Sequence, residues 1–207
     1  MTTTMNSKDM KKRLKQFWDF LGEDSLLSWV VSVGLAFVII KYLVYPALGL
    51  ILGTSFPIVA VISESMEQPG SFDEWWSVHE EFYLQKGITK NQFQNFPFSR
   101  GFNKGDIMIL RGASKERLDL GDILVFQSGK PYPIIHRIVE ISSNGELTFG
   151  TKGDNNPDQV VEMFLDETTI YPEQTIGKAI ARIPYLGYVR VWAADFMNFI
   201  LGRESIT

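Results

Sequence analysis

Two serines two positions apart, Ser63 and Ser65 in "AVISESMEQPG", stand where a strongly apolar run turns polar. A serine hydroxyl becomes a useful nucleophile only when a neighbouring base takes its proton and donors stabilise the oxyanion it creates. The chain has no cysteine, which excludes a thiol nucleophile, a zinc thiolate site and a disulfide framework. Two histidines are the first candidates for the base. His79 lies beside Glu80 and Glu81 in an irregular stretch, which suits a solvated surface histidine. His136 lies in "PIIHRIVEI", where strand alternation puts it on one face with Ile134 and Ile138 and puts Arg137 opposite, among Ile135 and Val139. An imidazole among aliphatic side chains needs a hydrogen-bonding partner. The next strand end, "TFGTKGDNNPDQ", offers Asp154 and Asp158 in a tight polar turn. Serine, histidine and aspartate thus occur in that order, although order alone decides nothing, because such triads recur in several chain orders.

These residues need elements to hold them. "SFPIVAVI", "DIMILR", "DILVFQ", "PIIHRIVEI", "ELTFGTK" and "IGKAIARI" are rich in β-branched residues and bounded by turn formers, so each reads as a strand and the domain beyond residue 53 as mainly β. "KGDIMIL" and "LGDILVF" are alike because Gly-Asp is an ordinary turn before a strand, and two copies make no solenoid. Between the serines and the first Gly-Asp, residues 67–103 form an aromatic excursion without strand alternation. Its Phe72, Trp75, Trp76, Phe82 and Tyr83 suggest either a contact surface or a small satellite core, and the excursion is expected to be dispensable for bond breaking.

Upstream, "LLSWVVSVGLAFVIIKYLVY" at 26–45 is long enough as a helix, at about 1.5 Å per residue, to cross the hydrocarbon of a bilayer. Trp29, Tyr42 and Tyr45 suit the two interfaces, and Pro46 either ends the helix or lets it run on to Gly53. Lys8, Lys11, Lys12, Arg13 and Lys15 outnumber Lys41, so the N-terminus is expected in the cytoplasm and the β domain outside. The stretch is longer than the apolar part of a cleaved signal peptide. The expected organisation is a basic cytoplasmic tail at 1–24, an anchor and juxtamembrane segment at 25–53, a catalytic β domain at 54–192, and an amphipathic segment at 193–207. A formal charge of −4 and the lack of a basic patch in the body argue against nucleic acid as a partner.

An anchor leading into "SESM", then "GDILVF", "IIHRIV", "TKGDNNPD" and "IGKAIARIPYLGYVR", resembles the type I signal peptidases of the archaeal and endoplasmic-reticulum branch, over roughly residues 30–192. The bacterial branch carries a lysine base where this chain has His136. The resemblance implies a membrane-anchored β domain after one transmembrane helix, in which Ser65 is the nucleophile and His136 the general base. It implies Asp158 or Asp154 as the residue that orients the imidazole, and Ser63 with the Ser65 backbone N–H as the oxyanion hole. Asp158 follows Pro157 and is the favoured orienter, Asp154 sits in a "GDNN" turn and is expected to shape the loop, and Asp166 is a further candidate. The implied substrates are secretory precursors presenting signal peptides beside the lipid bilayer, with no cofactor or metal and with partner subunits left open. The family usually runs from Ser-Met to the first Gly-Asp by a short segment, whereas this chain inserts "EQPG" and the long excursion. Two other readings compete: a peptidase dedicated to one surface or pilin-like substrate, and a non-catalytic scaffold, which should lack Ser65 or His136.

Overall fold

The computed structural model describes residues 7–113, 118–143 and 145–186. The amphipathic segment expected at 193–207 lies outside them. Two compact units divide between Leu48 and Gly49.

In the first unit the basic N-terminal stretch is a helix, α1 (Ser7–Leu21). Helix α2 (Leu26–Ile39) follows, with Ser25 as its N-cap accepting from Ser28 N–H at 3.1 Å. Pro46 does not stop the apolar helix. A π-helical turn over Ile40–Val44 widens the backbone ahead of α3 (Tyr45–Leu52), and the Tyr45 N–H reaches back to Ile40 O. This widening relieves the clash that a proline ring makes with the preceding turn. Leu26–Leu52 is one 27-residue run, long and apolar enough to cross a membrane. The run ends at Gly53, whose φ of +66° is left-handed.

The second unit is built on a six-stranded antiparallel sheet in the order β1-β2-β8-β3-β4-β5. Its strands are β1 (Ile58–Ala60), β2 (Ile107–Arg111), β3 (Ile123–Phe126), β4 (Ile134–Ser142), β5 (Thr148–Lys152) and β8 (Thr175–Ile183). The six stretches read as strands are these six, so the domain is mainly β. The sequence reading missed a hairpin of two-residue strands, β6 (Val161–Glu162) and β7 (Leu165–Asp166). Strand β3 is buried along its length. Ile123 and Val125 pack with Val61, Met66, Met108 and Leu110 on one side, while Leu124 and Phe126 pack with Ile134, Ile138 and Phe149 on the other.

The 67–103 excursion is not irregular. It holds α4 (Phe72–Gln85) and α5 (Lys90–Gln94), each opened by a reciprocal capping box, Ser71 with Glu74 and Thr89 with Gln92. Nor is it an aromatic contact surface: Phe72, Trp75, Trp76, Tyr83 and Phe93 are buried in a third core that includes Val139 of β4. Helix α4 turns Phe72, Trp75, Trp76 and Tyr83 inward and leaves Val78 and Leu84 exposed, and α5 adds Phe93. The insert also presses on the sheet's turns. Gly121 has φ +90°, and a Cβ there would stand 2.2 Å from the Phe96 ring.

Candidate active site

Strand β4 places His136 and Arg137 on opposite faces, and the two residues serve different networks. Register sets His136 opposite Leu124 of β3, and Arg137 between Ile123 of β3 and Lys152 of β5. His136 is almost fully buried. Its Nε2 lies 2.9 Å from Ser65 Oγ and its Nδ1 lies 2.5 Å from Glu167 Oε1. Ser63 Oγ is 3.0 Å from Ser65 Oγ, so the Ser65 hydroxyl sits between a histidine nitrogen and a second hydroxyl.

The serine-bearing turn is fixed at its backbone. Ser65 O accepts from Asn155 N–H at 2.8 Å, Glu64 O accepts from the Asn155 side-chain amide, and Met66 O accepts from Phe102 N–H. Met66 itself is buried in the sheet core, which pins the turn from beneath. The strand that follows the histidine comes just as close. A Cβ on Gly153 would stand 2.7 Å from Ser65 O and 2.9 Å from His136 Nε2, so only glycine fits beside the pair.

Glu167 is fully buried. Its Oε1 also accepts from Thr151 Oγ1 at 3.0 Å, and its Oε2 accepts from Val160 N–H at 2.8 Å. Backbone bonds between Thr151 N–H and Glu167 O, and between Glu167 N–H and Val160 O, hold the base of the β6–β7 hairpin against β5. The Gln159 amide bridges Thr151 O and Glu167 O. Every polar atom of the carboxylate therefore has a fixed donor, which is what a buried acid needs.

The carboxylate on His136 is thus neither Asp158 nor Asp154, and the expectation that one of them occupies that position is corrected. Asp158 is exposed and its Oδ1 accepts from the neighbouring Gln159 N–H, a local turn contact, while Glu167 takes the histidine. Asp154 is fully buried on the other face of β4, where Arg137 Nε donates to its Oδ1 at 2.8 Å and Arg137 Nη2 to its Oδ2 at 2.7 Å. Asp166, the further candidate, is exposed and accepts from Thr168 N–H and Oγ1. Leu165 is buried, Asp166 is exposed and Glu167 is buried again, an alternation that becomes visible only in the structure, because β7 is two residues long and Glu167 lies just past its end.

The Arg137–Asp154 pair is where the insert meets the site. Trp75 Nε1–H donates to Asp154 O at 3.1 Å, Gln68 Nε2 to Asp154 Oδ2 at 3.0 Å and Tyr83 O–H to Asp154 Oδ1 at 3.3 Å. Arg137 lies over the Phe93 ring, and its Nη atoms donate to the carbonyls of Pro97, Phe98 and Gly121. Burial pulls the Arg137 pKa down, but the Asp154 charge and its hydrogen bonds outweigh it and the net shift is upward. Tyr83 is pushed well above its ordinary value by burial and by the Asp154 charge. Lys152, also fully buried, is drawn down to about 8, chiefly by burial, with Asp154 and Glu167 acting the other way. Its Nζ donates to Gly153 O at 3.1 Å and lies 5.0 Å from the ring centres of Phe82 and Tyr83. His79, by contrast, is half-buried on α4, with Nδ1 2.9 Å from Trp75 O.

No protein-family model matches the chain. Among curated proteins it is 30% identical over 109 residues to the signal peptidase complex catalytic subunit SEC11C of Homo sapiens, covering 47% of this chain and 53% of that protein. It is 33% identical over 98 residues to the signal peptidase complex catalytic subunit SEC11 of Pyricularia oryzae, covering 45% and 57%. The SEC11 subunit of Colletotrichum graminicola is 31% identical over 99 residues, covering 46% and 58%. The chain spans a little over half the length of the curated relatives it matches. The resemblance carried by "SESM", "IIHRIV" and "TKGDNNPD" is to the family that these relatives represent.

Proposed function

We propose that this chain is a membrane-anchored serine endopeptidase that removes signal peptides from secretory precursors. The observation that carries the reading is the continuous hydrogen-bonded line from Ser65 Oγ through His136 to the buried Glu167, at 2.9 and 2.5 Å. Glu167 accepts a hydrogen bond from Nδ1–H, which keeps the proton on that nitrogen and leaves Nε2 free to take the Ser65 proton. The Ser65 Oγ attacks the scissile carbonyl, His136 Nε2 takes the hydroxyl proton and delivers it to the departing amine, and water, deprotonated by the same nitrogen, then attacks the acyl group, which leaves as the acid while His136 returns the proton to Ser65 Oγ. The Ser63 hydroxyl, 3.0 Å from Ser65 Oγ, and the Ser65 N–H are the oxyanion donors.

The apolar run Leu26–Leu52 is the membrane pass among the described residues, with the basic N-terminus cytoplasmic and the β domain extracytoplasmic at the cell membrane. The names of the curated relatives place them in a complex, and subunits that co-purify with this chain in mild detergent would identify its own partners.

The test uses full-length protein in detergent with a secretory precursor, reading product masses for wild type, Ser65→Ala and His136→Ala. Wild type should release the mature protein at one bond after a small residue, and either variant should lose several orders of magnitude in rate, because the pair acts as a unit. Cleavage that survives Ser65→Ala would sink the proposal.

A further inference from the structure

Helix α1 carries five cations within eight positions, Lys8, Lys11, Lys12, Arg13 and Lys15, against Asp9 and Asp19. At helical spacing Met10, Leu14, Phe17, Trp18 and Leu21 line one side, with Lys11 and Arg13 at its borders and Lys8, Lys12 and Lys15 on the far side. Met10, Leu14, Phe17 and Trp18 are all exposed, Trp18 by 66%. A soluble helix would turn such a stripe onto a core.

Helix α1 is not a free tail. Gly22 N–H closes its last turn on Trp18 O and Asp19 O, and the buried Ser28 hydroxyl of α2 donates to Leu21 O at 3.0 Å. The helix is therefore hydrogen-bonded to the first turn of the run that spans the membrane, which begins at Leu26.

We infer that α1 lies in the bilayer interface on the N-terminal side, its Met10–Leu14–Phe17–Trp18 stripe in the headgroup and acyl boundary and its lysines against anionic lipid phosphates. Low net hydrophobicity, aromatic and aliphatic side chains on one side and lysines on the other are the composition of helices that rest on a membrane rather than cross it. The charge selects the lipid: each lysine near an anionic surface adds attraction that falls off within a Debye length. Lys11 and Arg13, at the borders of the stripe, can extend their charged ends to the phosphates while their methylenes cover apolar surface. The inference rests on Leu26–Leu52 spanning the membrane and is independent of the peptidase reading.

The absence of cysteine makes a clean test possible. Leu14→Cys and Lys12→Cys, on opposite sides of α1, are each labelled with a nitroxide in the full-length protein. The protein is reconstituted in vesicles of three parts phosphatidylcholine to one part phosphatidylglycerol, and collision with oxygen and with a water-soluble nickel complex is measured. The label at 14 should be several-fold less accessible to nickel and more accessible to oxygen than the label at 12. That contrast should shrink in phosphatidylcholine alone or at high salt. Equal nickel access at both positions would overturn the inference. So would a label at 14 shielded from nickel and oxygen alike, because it would place protein, a partner or a second copy, on the stripe.

Discussion

Glu167→Gln is the sharpest probe of the site because the surrounding donors decide which way the amide must face. The carboxylate accepts from His136 Nδ1 and Thr151 Oγ1 on Oε1 and from Val160 N–H on Oε2. A backbone N–H can only donate, so the glutamine oxygen must take the Oε2 position, and its NH2 then occupies the place of Oε1. The Thr151 hydroxyl can rotate to accept from that NH2. His136 can accept only by losing its Nδ1 proton, which moves the ring hydrogen to Nε2 and blocks transfer from Ser65. The reverse amide orientation sets NH2 against the Val160 N–H, two donors facing each other in a buried site.

A wrong tautomer in a serine–histidine site lowers turnover by about 10⁴-fold, or about 5.5 kcal/mol of barrier. The expected result is that loss in kcat with KM little changed, because the substrate-facing atoms stay in place. Loss of charge-assisted bonds should also lower stability by about 1–3 kcal/mol, so turnover is measured well below the thermal transition, on protein shown folded by circular dichroism. Asp158→Asn, which alters only a surface turn contact, should keep turnover within about twofold and stability within about 0.5 kcal/mol. If Glu167→Gln retained turnover within tenfold of wild type, or if Asp158→Asn lost as much, the assignment of Glu167 as the positioning carboxylate would be wrong.

Gly153→Ala puts a Cβ 2.7 Å from Ser65 O and 2.9 Å from His136 Nε2; turnover should fall by about 10²-fold or more, read as steady-state kcat. Asp154→Asn leaves the Arg137 guanidinium buried with a neutral partner, and denaturant unfolding should show a loss of about 3–5 kcal/mol. Trp75→Phe removes the donor to Asp154 O, so stability should fall by about 1 kcal/mol and kcat should fall more than KM changes, while Val78→Ala on the exposed side of α4 should alter neither. Lys152 is held at about 8 against 10.5 in the unfolded chain, so its burial penalty is constant below about pH 8 and is relieved as pH rises towards 10.5. Melting of the wild type should gain up to about 3 kcal/mol over that window relative to Lys152→Met, and equal pH slopes for the two proteins would remove Lys152 as the cause.

What could be read from the sequence divides along sequence distance. The six sheet strands carried their own signal, β-branched runs closed by turn formers. The twin Gly-Asp turns do what such turns do: Asp106 Oδ2 accepts from Asn103 N–H and Asp122 Oδ2 from Asp119 N–H, three residues back in each case. The two faces of "IIHRIV" also followed from alternation, with Ile134 and Ile138 in one core and Val139 beside the insert in another. Glu167 was missed because the hairpin that delivers it has strands of two residues, too short for a period to show, and because its fixed donors come from Thr151 and Val160 rather than from neighbours in the "GDNN" turn. Proximity in sequence favoured Asp158, but a short acidic side chain after a turn bonds its own backbone first, and Asp158 does so at Gln159 N–H.

The insert shows the same division. Its two capping boxes, S-x-x-E and T-x-x-Q, are local helix-start patterns that the reading of an irregular excursion passed over. That its aromatics close over Arg137 and Asp154 was not legible, because a buried ion pair requires long-range donors that no local pattern announces. Once that pair is seen, the aromatic content has a physical reason. A guanidinium and a carboxylate without solvent are tolerable only when their remaining donors and acceptors are met, and Trp75, Tyr83, Gln68 and the Pro97–Phe98 carbonyls meet them. The loop so held carries Gly153 against Ser65 and Asn155 on the Ser65 carbonyl. Removing the excursion would take Gln68, Trp75 and Tyr83 from Asp154, leave the Arg137–Asp154 pair to solvent and loosen the turn that supports the serine, so bond breaking should weaken with it, against the expectation of indifference.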